Sequence, residues 1–434
     1  MNYQECLDNI YSSYMHIKPV IKGKQDSAVR NVDIILSLLT DLDLIPPAEK
    51  IIKVSGSKGK GTTTRLCEKM IRTHDACKSV AMLISPEEID HFDRMRINGV
   101  TITPELFAEI YTELLPVLNE KKKTFEGMDY LSPSGLFLLI ALTWFKRNHI
   151  DYYVLETGRG AKYDEVGNIA SHVSIVTSIL LEHPEYLGGS LETIAQHKLF
   201  ACNNAVYGVV ADSAMEYYRD SYSAKILPIH ALTYIKNFPN WYNNNLAMAL
   251  TGVAQLCRAS HIDMYNNFID ADAHTSTSFA STSFTSASFG HKVIDEQHFY
   301  YEPAIATDSL DLKFLKSITK KNTLFLVSLP DEKDIGGLVQ ALQHYGDVKH
   351  ITLTGTRGYL SYDITNRDYK NDILWTGQYD DVDGFKNSIT DKNSITDKNF
   401  TTDKTFTTDM PYSNIYLLGT QTYIRLVKMA LFGY

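Results

Sequence analysis

Between Lys53 and Arg65 the chain reads KVSGSKGKGTTTR, with glycines at 56, 59 and 61, lysines at 53, 58 and 60, and three threonines from Thr62. A short apolar run, Ile51-Ile52, leads in, and an apolar-periodic segment through Leu66, Met70 and Ile71 leads out. A strand, a glycine-rich turn and a helix N-terminus form an anion site, because backbone N–H groups and the positive helix end point at the same place. Glycine permits positive φ and close backbone approach. This chemistry would hold Gly56, Ser57, Lys58, Gly59, Lys60, Gly61, Thr62 and Thr63 against nucleotide phosphates, with lysine supplying formal charge. The spacing departs from GxxxxGK[ST], since Gly61 stands between Lys60 and Thr62. On these residues alone a flexible basic turn remains the alternative. A second feature is Glu156, which ends the apolar run Tyr152–Leu155. Carboxylates are rarely buried there without a partner; a metal ion or a salt bridge would supply one.

The elements that must position these groups follow from the hydrophobic patterning. Helical spacing covers Asn31–Leu44, Thr62–Thr73, Pro104–Asn119, Ser134–Asn148 and Leu191–Cys202. Strand patterns cover Ile51–Val54, Ser79–Ile84, Tyr152–Leu155 and Val173–Ser178. Strands separated by helices imply a mostly parallel sheet covered on both faces. Further on, strands are expected at Thr323–Val327, His350–Thr354 and Asn414–Leu418, with helices at Leu338–His344 and Thr422–Leu431. This reads as a smaller Rossmann-like α/β domain. Residues 275–289 repeat with a five-residue period (TSTSF-ASTSF-TSASF), and 387–410 repeat with a six-residue period (NSITDK-NSITDK-NFTTDK-TFTTDM). Such polar copies cannot bury a core and are expected as loops.

At 434 residues two domains are the default. The composition, 44% hydrophobic and 21% charged, is that of a globular protein with material for sizeable cores. A net charge of -9 argues against a general nucleic-acid binder but leaves room for a local basic pocket facing an anionic substrate. Five widely spaced cysteines without a CxxC pair suggest neither zinc nor a disulfide framework, and fit a reducing cytoplasm. The longest strongly apolar run, Leu136–Phe145, is about half of the ~20 residues needed to span a bilayer, so no membrane partner is expected.

The phosphate turn resembles GTNGKGS, the loop of folylpolyglutamate and dihydrofolate synthases of the Mur ligase superfamily. The resemblance continues in order. Family motifs TSPHL and ERIRING are matched by Ile84-Ser85-Pro86-Glu87-Glu88 and Asp93-Arg94-Met95-Arg96-Ile97-Asn98-Gly99. VLEVGLGGRLDATN is matched from Val154 to Asp164, ITSIGLDHTEYLG from Val176 to Gly188, and LEEIAREKAGI from Leu191 to Leu199. The resemblance implies a P-loop Mur-ligase-type ATPase domain at 1–268, a repeat linker at 269–291, and a Rossmann-like domain at 292–434 carrying an insertion at 384–411. It implies an ATP-dependent amide ligase that passes through an acyl phosphate, with the same chemistry on a non-folate acid in a specialised or storage-peptide pathway, or a nucleotide-binding pseudoenzyme, as the alternatives. The partners would be a small carboxylic acid and an amino acid, glutamate if the acid is folate-type, with no nucleic acid.

By the same resemblance Lys60 and the loop amides hold ATP. Ser85, Glu156 and His183 are ligands for one or two magnesium ions. Lys198 becomes carbamylated and acts as a carboxylate near the metal, and a monovalent cation accompanies the site. Asn245 lies near the adenine, Glu302 stands in for a nucleotide-contacting aspartate, and Arg94, Arg96 and Asp164 face the substrate. Lys60, His183 and Lys198 form the catalytic set. Hard oxygen ligands suit magnesium, and positioning with charge neutralisation dominates phosphoryl transfer. Departures are equally specific. Lys58 replaces an asparagine of the loop, and Glu87 replaces the histidine of SPHL. Ser134-Gly135-Leu136-Phe137-Leu138 stands where the family has FEFLTAL. In the second domain Tyr301–Thr307 stands where the family has DGAHNP, with Ile305 at the histidine, whereas Asp331–Ile335 resembles DKDI.

Overall fold

The computed structural model describes residues 1–75, 78–87, 90–229, 240–275, 290–294, 297–303, 310, 315–316, 322–329, 335–354, 373–378, 381–390 and 412–432. The chain divides into two compact units. One comprises Met1–Tyr234 and Trp241–Ala271; the other comprises Ile235–Asn240 and Asp272–Tyr434.

The first unit is built on eight strands: β1 (Ile51–Ser55), β2 (Val80–Leu83), β3 (Met95–Ile97), β4 (Val100–Thr101), β5 (Tyr152–Glu156), β6 (Ser171–Val176), β7 (Ala205–Val210) and β8 (Lys225–Ile226). Their order is β4-β3-β2-β5-β1-β6-β7-β8. The six strands from β2 to β8 in that order are parallel, and only β3 and β4 run antiparallel to their neighbours. The expected strands are therefore present and parallel, as the alternation of patterns requires.

Side chains alternate across each strand. Ile51 joins one core with Leu38, Leu39, Phe107, Leu139 and Phe145, from the helices Asp33–Asp41, Pro104–Lys122 and Pro133–Arg147. The helix Tyr3–Ile21, not anticipated from the sequence, adds Cys6, Leu7 and Ile10 to that face. The opposite face carries Ile175 and Val173, against which Gly252 of the helix Asn240–Cys257 packs closely. Lys53 points into the first face and is fully buried. Its ammonium donates to Gly167 O at 3.0 Å, Ile169 O at 2.7 Å and Asn204 Oδ1 at 2.5 Å, one acceptor for each hydrogen.

Strand order locates the site. From β1 the chain moves to β2 and β5 on one side and then crosses to β6 and β7 on the other. The carboxyl end of β1 is thus a topological switch point, where open α/β sheets bind ligands. The helix Lys60–His74 starts there.

The second unit has six strands: β9 (Gly290–Ile294), β10 (Gln297–Pro303), β11 (Thr323–Ser328), β12 (Asp347–Thr354), β13 (Ile373–Gln378) and β14 (Asn414–Gly419). They run β13-β12-β11-β14-β10-β9, all parallel except β9. Its core includes Leu324, Leu326, Ile415, Leu417 and Tyr423. Two boundaries differ from expectation. The helix His261–Thr275 runs through the expected start of the linker at 269. The expected insertion from 384 begins as the helix Val382–Thr390, because Phe385 and Ile389 recur at helical spacing and are both buried. The remaining copies, at 276–289 and 391–410, and Asp331–Asp334 lie outside the described residues.

Candidate active site

The phosphate turn is fixed before any ligand arrives. Gly56 and Gly59 have φ of 133° and 86°, in the region that favours glycine. A Cβ on Gly56 would collide with Thr177 Oγ1, and one on Gly59 would lie 2.5 Å from Asn245 Nδ2. The turn is also tied to the end of β6. Ser57 N donates to Ser178 O at 2.8 Å, and Lys58 N donates to Ser178 Oγ at 2.9 Å. Thr177 Oγ1 donates to Lys58 O at 2.5 Å, and Leu180 N donates to Ser57 Oγ at 2.9 Å. Thr62 and Thr63 are buried in the first turn of the helix Lys60–His74, and Thr63 N donates to Gly59 O at 2.8 Å. Lys60 is half-buried, with Nζ donating to Ser57 O at 3.3 Å. Asn245 is thus brought against the turn.

Glu156 emerges from the end of β5 and is 4% exposed. Its Oε2 accepts from Ser85 N at 3.3 Å, and a Cβ on Gly61 would lie 3.5 Å from it. Burial drives this carboxyl up to about 7, only partly offset by Lys60, the Ser85 amide, Arg65 and Arg94. A buried carboxylate with one long hydrogen bond, facing a helix N-terminus, is short of positive charge. A hard cation would supply it. Among the described residues no three His, Cys, Asp or Glu side chains converge. Of the expected magnesium set the structure brings together Glu156 and Ser85 at the end of β5, and a carboxylate beside a hydroxyl residue suits a hard cation.

Lys198 is fully buried in the helix Leu191–Leu199. Its Nζ donates to Gly56 O at 3.1 Å, Arg159 O at 2.6 Å and Glu182 Oε1 at 2.7 Å, which joins it directly to the phosphate turn. Burial, followed by the charge of Lys60, lowers its pKa to about 8 against the opposing pull of Glu182. Glu182 itself is held below the usual carboxylate range, since Lys198 and then Lys60 outweigh its burial. Sequence reasoning gave Glu182 no role. The signal was present, for the matched motif has an acid at that position immediately before the histidine. His183 takes φ 51° and caps the short helix Pro184–Leu187. Its side chain is 41% exposed. Burial, with Arg159 and Lys198 opposing Glu182, lowers its pKa, which favours the neutral imidazole that a metal would accept.

The expected substrate residues fare differently. Asp164 caps the helix Glu165–Asn168: Oδ1 accepts from Val166 N at 3.0 Å and Gly167 N at 3.3 Å, and Oδ2 from Gly158 N at 3.1 Å. Both oxygens serve the backbone, so Asp164 caps this helix. Arg94 is 9% exposed. Its Nε donates to Glu87 Oε2 at 2.9 Å, and its guanidinium lies 4.3 Å from the Phe137 ring centroid. Glu87 also faces His91 Nδ1 at 3.2 Å, and the imidazole stacks on Phe137 at 5.4 Å. Arg94 is therefore turned into the protein by the very residue that departs from the family motif. Arg96 is half-buried and its Nε donates to Asp93 O at 3.5 Å. In the second unit Glu302 is buried at the end of β10 and accepts from Tyr416 Oη at 2.8 Å.

Comparison with known proteins now adds to the geometry. No protein-family model matches the chain. A dihydrofolate synthase/folylpolyglutamate synthase of Haemophilus influenzae is 32% identical over 188 residues, 43% of this chain and 39% of that protein. The chain thus spans about two fifths of the length of that curated relative. Among solved structures, a Mycobacterium tuberculosis folylpolyglutamate synthase complexed with ADP and AMPPCP superposes with a TM-score of 0.71 at 16% identity, covering 98% of this chain and 99% of that one. A bifunctional synthase from Yersinia pestis complexed with AMPPNP and a manganese ion gives 0.68 at 19% identity, covering 93% of each chain. These similarities bear out the resemblance and the fold read from the sequence.

Proposed function

We propose that this chain, alike in fold to folylpolyglutamate synthases and similar to them over part of its sequence, is an ATP-dependent ligase that joins a carboxylic acid to an amino acid. The observation that carries the reading is the convergence on one turn of Lys60, Ser85, Glu156 and the Lys198–Glu182 pair, at the switch point of a parallel sheet. That arrangement suits a triphosphate, and two of the structural neighbours are described with ATP analogues.

The reaction needs two steps. An oxygen of the acid's carboxylate attacks the γ-phosphorus, the bond to ADP breaks, and an acyl phosphate forms. The amine lone pair of the amino acid then attacks the acyl carbon. A tetrahedral intermediate collapses to the amide with loss of phosphate and a proton. In the first step the turn amides and Lys60 orient the phosphates and offset their charge. Ser85, Glu156 and His183 would hold magnesium, which supplies further charge neutralisation when bound. Lys198, with a pKa lowered to about 8, keeps a fraction of free amine at neutral pH, which is the form that carbon dioxide carbamylates. We assign Lys198 that modification, and Glu182 the task of holding the unmodified ammonium in place. A monovalent cation belongs to the same assignment. We place the chain in a reducing cytoplasm, as its widely spaced cysteines suggest.

A second reading concerns the acid. Arg94 is held inward by Glu87 against Phe137, and a Cβ at Gly135 would lie 2.5 Å from Ile35 Cγ1. Both lie in motifs that depart from the pattern the resemblance supplies, and that departure is the ground for the alternative of an acid other than folate. The experiment is phosphate release from ATP in magnesium and bicarbonate, with dihydropteroate, tetrahydrofolate and a panel of small acids, each paired with amino acids. Turnover that needs both partners supports the ligase. Tight ATP binding with no turnover for any pair would leave a nucleotide-binding pseudoenzyme.

A further inference from the structure

A buried ion pair sits at the start of the helix Pro133–Arg147. Ser132 caps that helix, its Oγ accepting from Gly135 N at 3.0 Å and donating to Glu165 Oε1 at 2.5 Å. Arg30 donates through one terminal nitrogen to Glu165 Oε2 at 2.9 Å and to Ser134 Oγ at 3.3 Å. Ser134 Oγ in turn donates to Glu165 Oε2 at 3.4 Å. The side chains of Arg30 and Glu165 are only 13% and 3% exposed. Breaking such a pair leaves an uncompensated buried charge, so the four groups hold one another in place.

The cluster gathers departures from two separate motifs. Where FEFLTAL has phenylalanine and glutamate, this chain has Ser134 and Gly135; where VLEVGLGGRLDATN has alanine after its aspartate, this chain has Glu165. In the structure the two exchanges meet. A Cβ on Gly135 would lie 2.9 Å from Glu165 Oε1 and 2.7 Å from Ser132 Oγ, so a side chain at 135 and the Glu165 carboxylate exclude each other. The carboxylate has in effect moved from the helix to the loop after β5, and the Arg30 guanidinium lies against Ser134, where the motif places a ring. Glu87, another acid foreign to its motif, holds Arg94 over Phe137, one turn further along the same helix face. The loop that carries Glu165 begins at Glu156, and within it Arg159 O accepts from Lys198 Nζ at 2.6 Å. The Arg159 side chain donates to Asp26 at 2.8 Å, and Asp26 opens the short helix that ends next to Arg30. Both partners of the buried pair are thus fastened to the candidate active site.

We propose that Glu165, acting with Arg30, is a specificity-determining residue of the acid site and selects against an acid with a flat aromatic head. Such a head gains from stacking on a ring and loses when it desolvates a charged pair. Here the ring of the motif is absent, and a guanidinium and a carboxylate occupy its surroundings. That the site takes an acid rests on the ligase reading; that the pair works against a flat ring is read from binding and does not require turnover.

The test is calorimetric titration of the full chain with dihydropteroate, in magnesium and AMPPNP. The double variant Arg30→Leu/Glu165→Ala removes both charges together, so neither is left buried alone. It is expected to bind dihydropteroate at least tenfold more tightly than the parent. Glu165→Asp keeps the carboxylate and is expected to bind as weakly as the parent. Should the double variant lose its cooperative melting transition, Glu165→Gln takes its place, keeping shape and hydrogen bonds without the charge, with an expected gain of at least threefold. Equal binding by the parent and the charge-removing variant, or a gain in Glu165→Asp as large as in that variant, overturns the inference. Tighter binding by the variant with no phosphate release from any pairing of acid and amino acid counts against the ligase reading alone.

Discussion

The Lys198 ammonium has three hydrogens and three acceptors, at Gly56 O, Arg159 O and Glu182. Removing it deletes both the anchor of the phosphate turn and the group assigned to carbamylation. Lys198→Ala is expected to lose at least 100-fold in turnover, with part restored by added small carboxylates such as acetate. Full activity in that variant would sink the carbamate. Lys53 presents a cleaner case for pH. Burial lowers its pKa to about 7, against an ordinary value of 10.5. Between those two values the unfolded chain holds a proton that the folded chain has released, so stability rises with pH across that window. At roughly 1.4 kcal/mol per pH unit the full rise is at most about 5 kcal/mol. Chemical denaturation of Lys53→Met from pH 6 to 10 is expected to show a smaller rise than the parent; an identical rise contradicts the argument. Lys53 was invisible in the sequence, since a lysine inside a strand reads as a solvent-facing position. Its three acceptors come from residues more than 100 positions away. The placement of Lys60, Glu156 and Lys198 around one turn was legible because each sits in a motif whose neighbours fix its register, and the roles given to them are proposals. The pairing of Arg94 with Glu87 was not legible, because a motif does not reveal which side chain faces it.

At the scale of elements, the turn between β1 and the helix Lys60–His74 depends on two glycines at positive φ. Gly59→Ala adds a strained backbone and a Cβ 2.5 Å from Asn245 Nδ2. It is expected to weaken binding of a fluorescent ATP analogue at least tenfold while the far-ultraviolet circular dichroism stays unchanged. Unaltered affinity would show that the turn does not hold the nucleotide. Strands and helices around this turn were readable because their apolar periods are strong. Thr62–Thr73 grew at both ends to Lys60–His74. The helix Tyr3–Ile21 was missed, since its mixed face holds only four buried residues, Cys6, Leu7, Ile10 and Ile21, over nineteen positions. The strands β9 and β10 were missed because an antiparallel edge and a tyrosine-rich run carry little of the alternation that marks β1 or β5.

For the whole molecule, the described residues include one sheet in each unit, and the low-complexity copies at 391–410 fall outside the described residues. Excising 391–410 from the full chain is expected to leave ATP turnover within about twofold, read as phosphate release; a tenfold loss would make that segment part of the working protein. The central claim is that the acid's own carboxylate oxygen attacks ATP, at a site formed by Lys60, Glu156 and Lys198. The most direct measurement is the fate of that oxygen. The chain is supplied with magnesium, ATP, an amino acid and an accepted acid labelled with oxygen-18 in its carboxylate, and the released phosphate is analysed by mass spectrometry. The account predicts one labelled oxygen in each phosphate formed, and loss of that signal in Glu156→Gln. Amide product accompanied by unlabelled phosphate would contradict it.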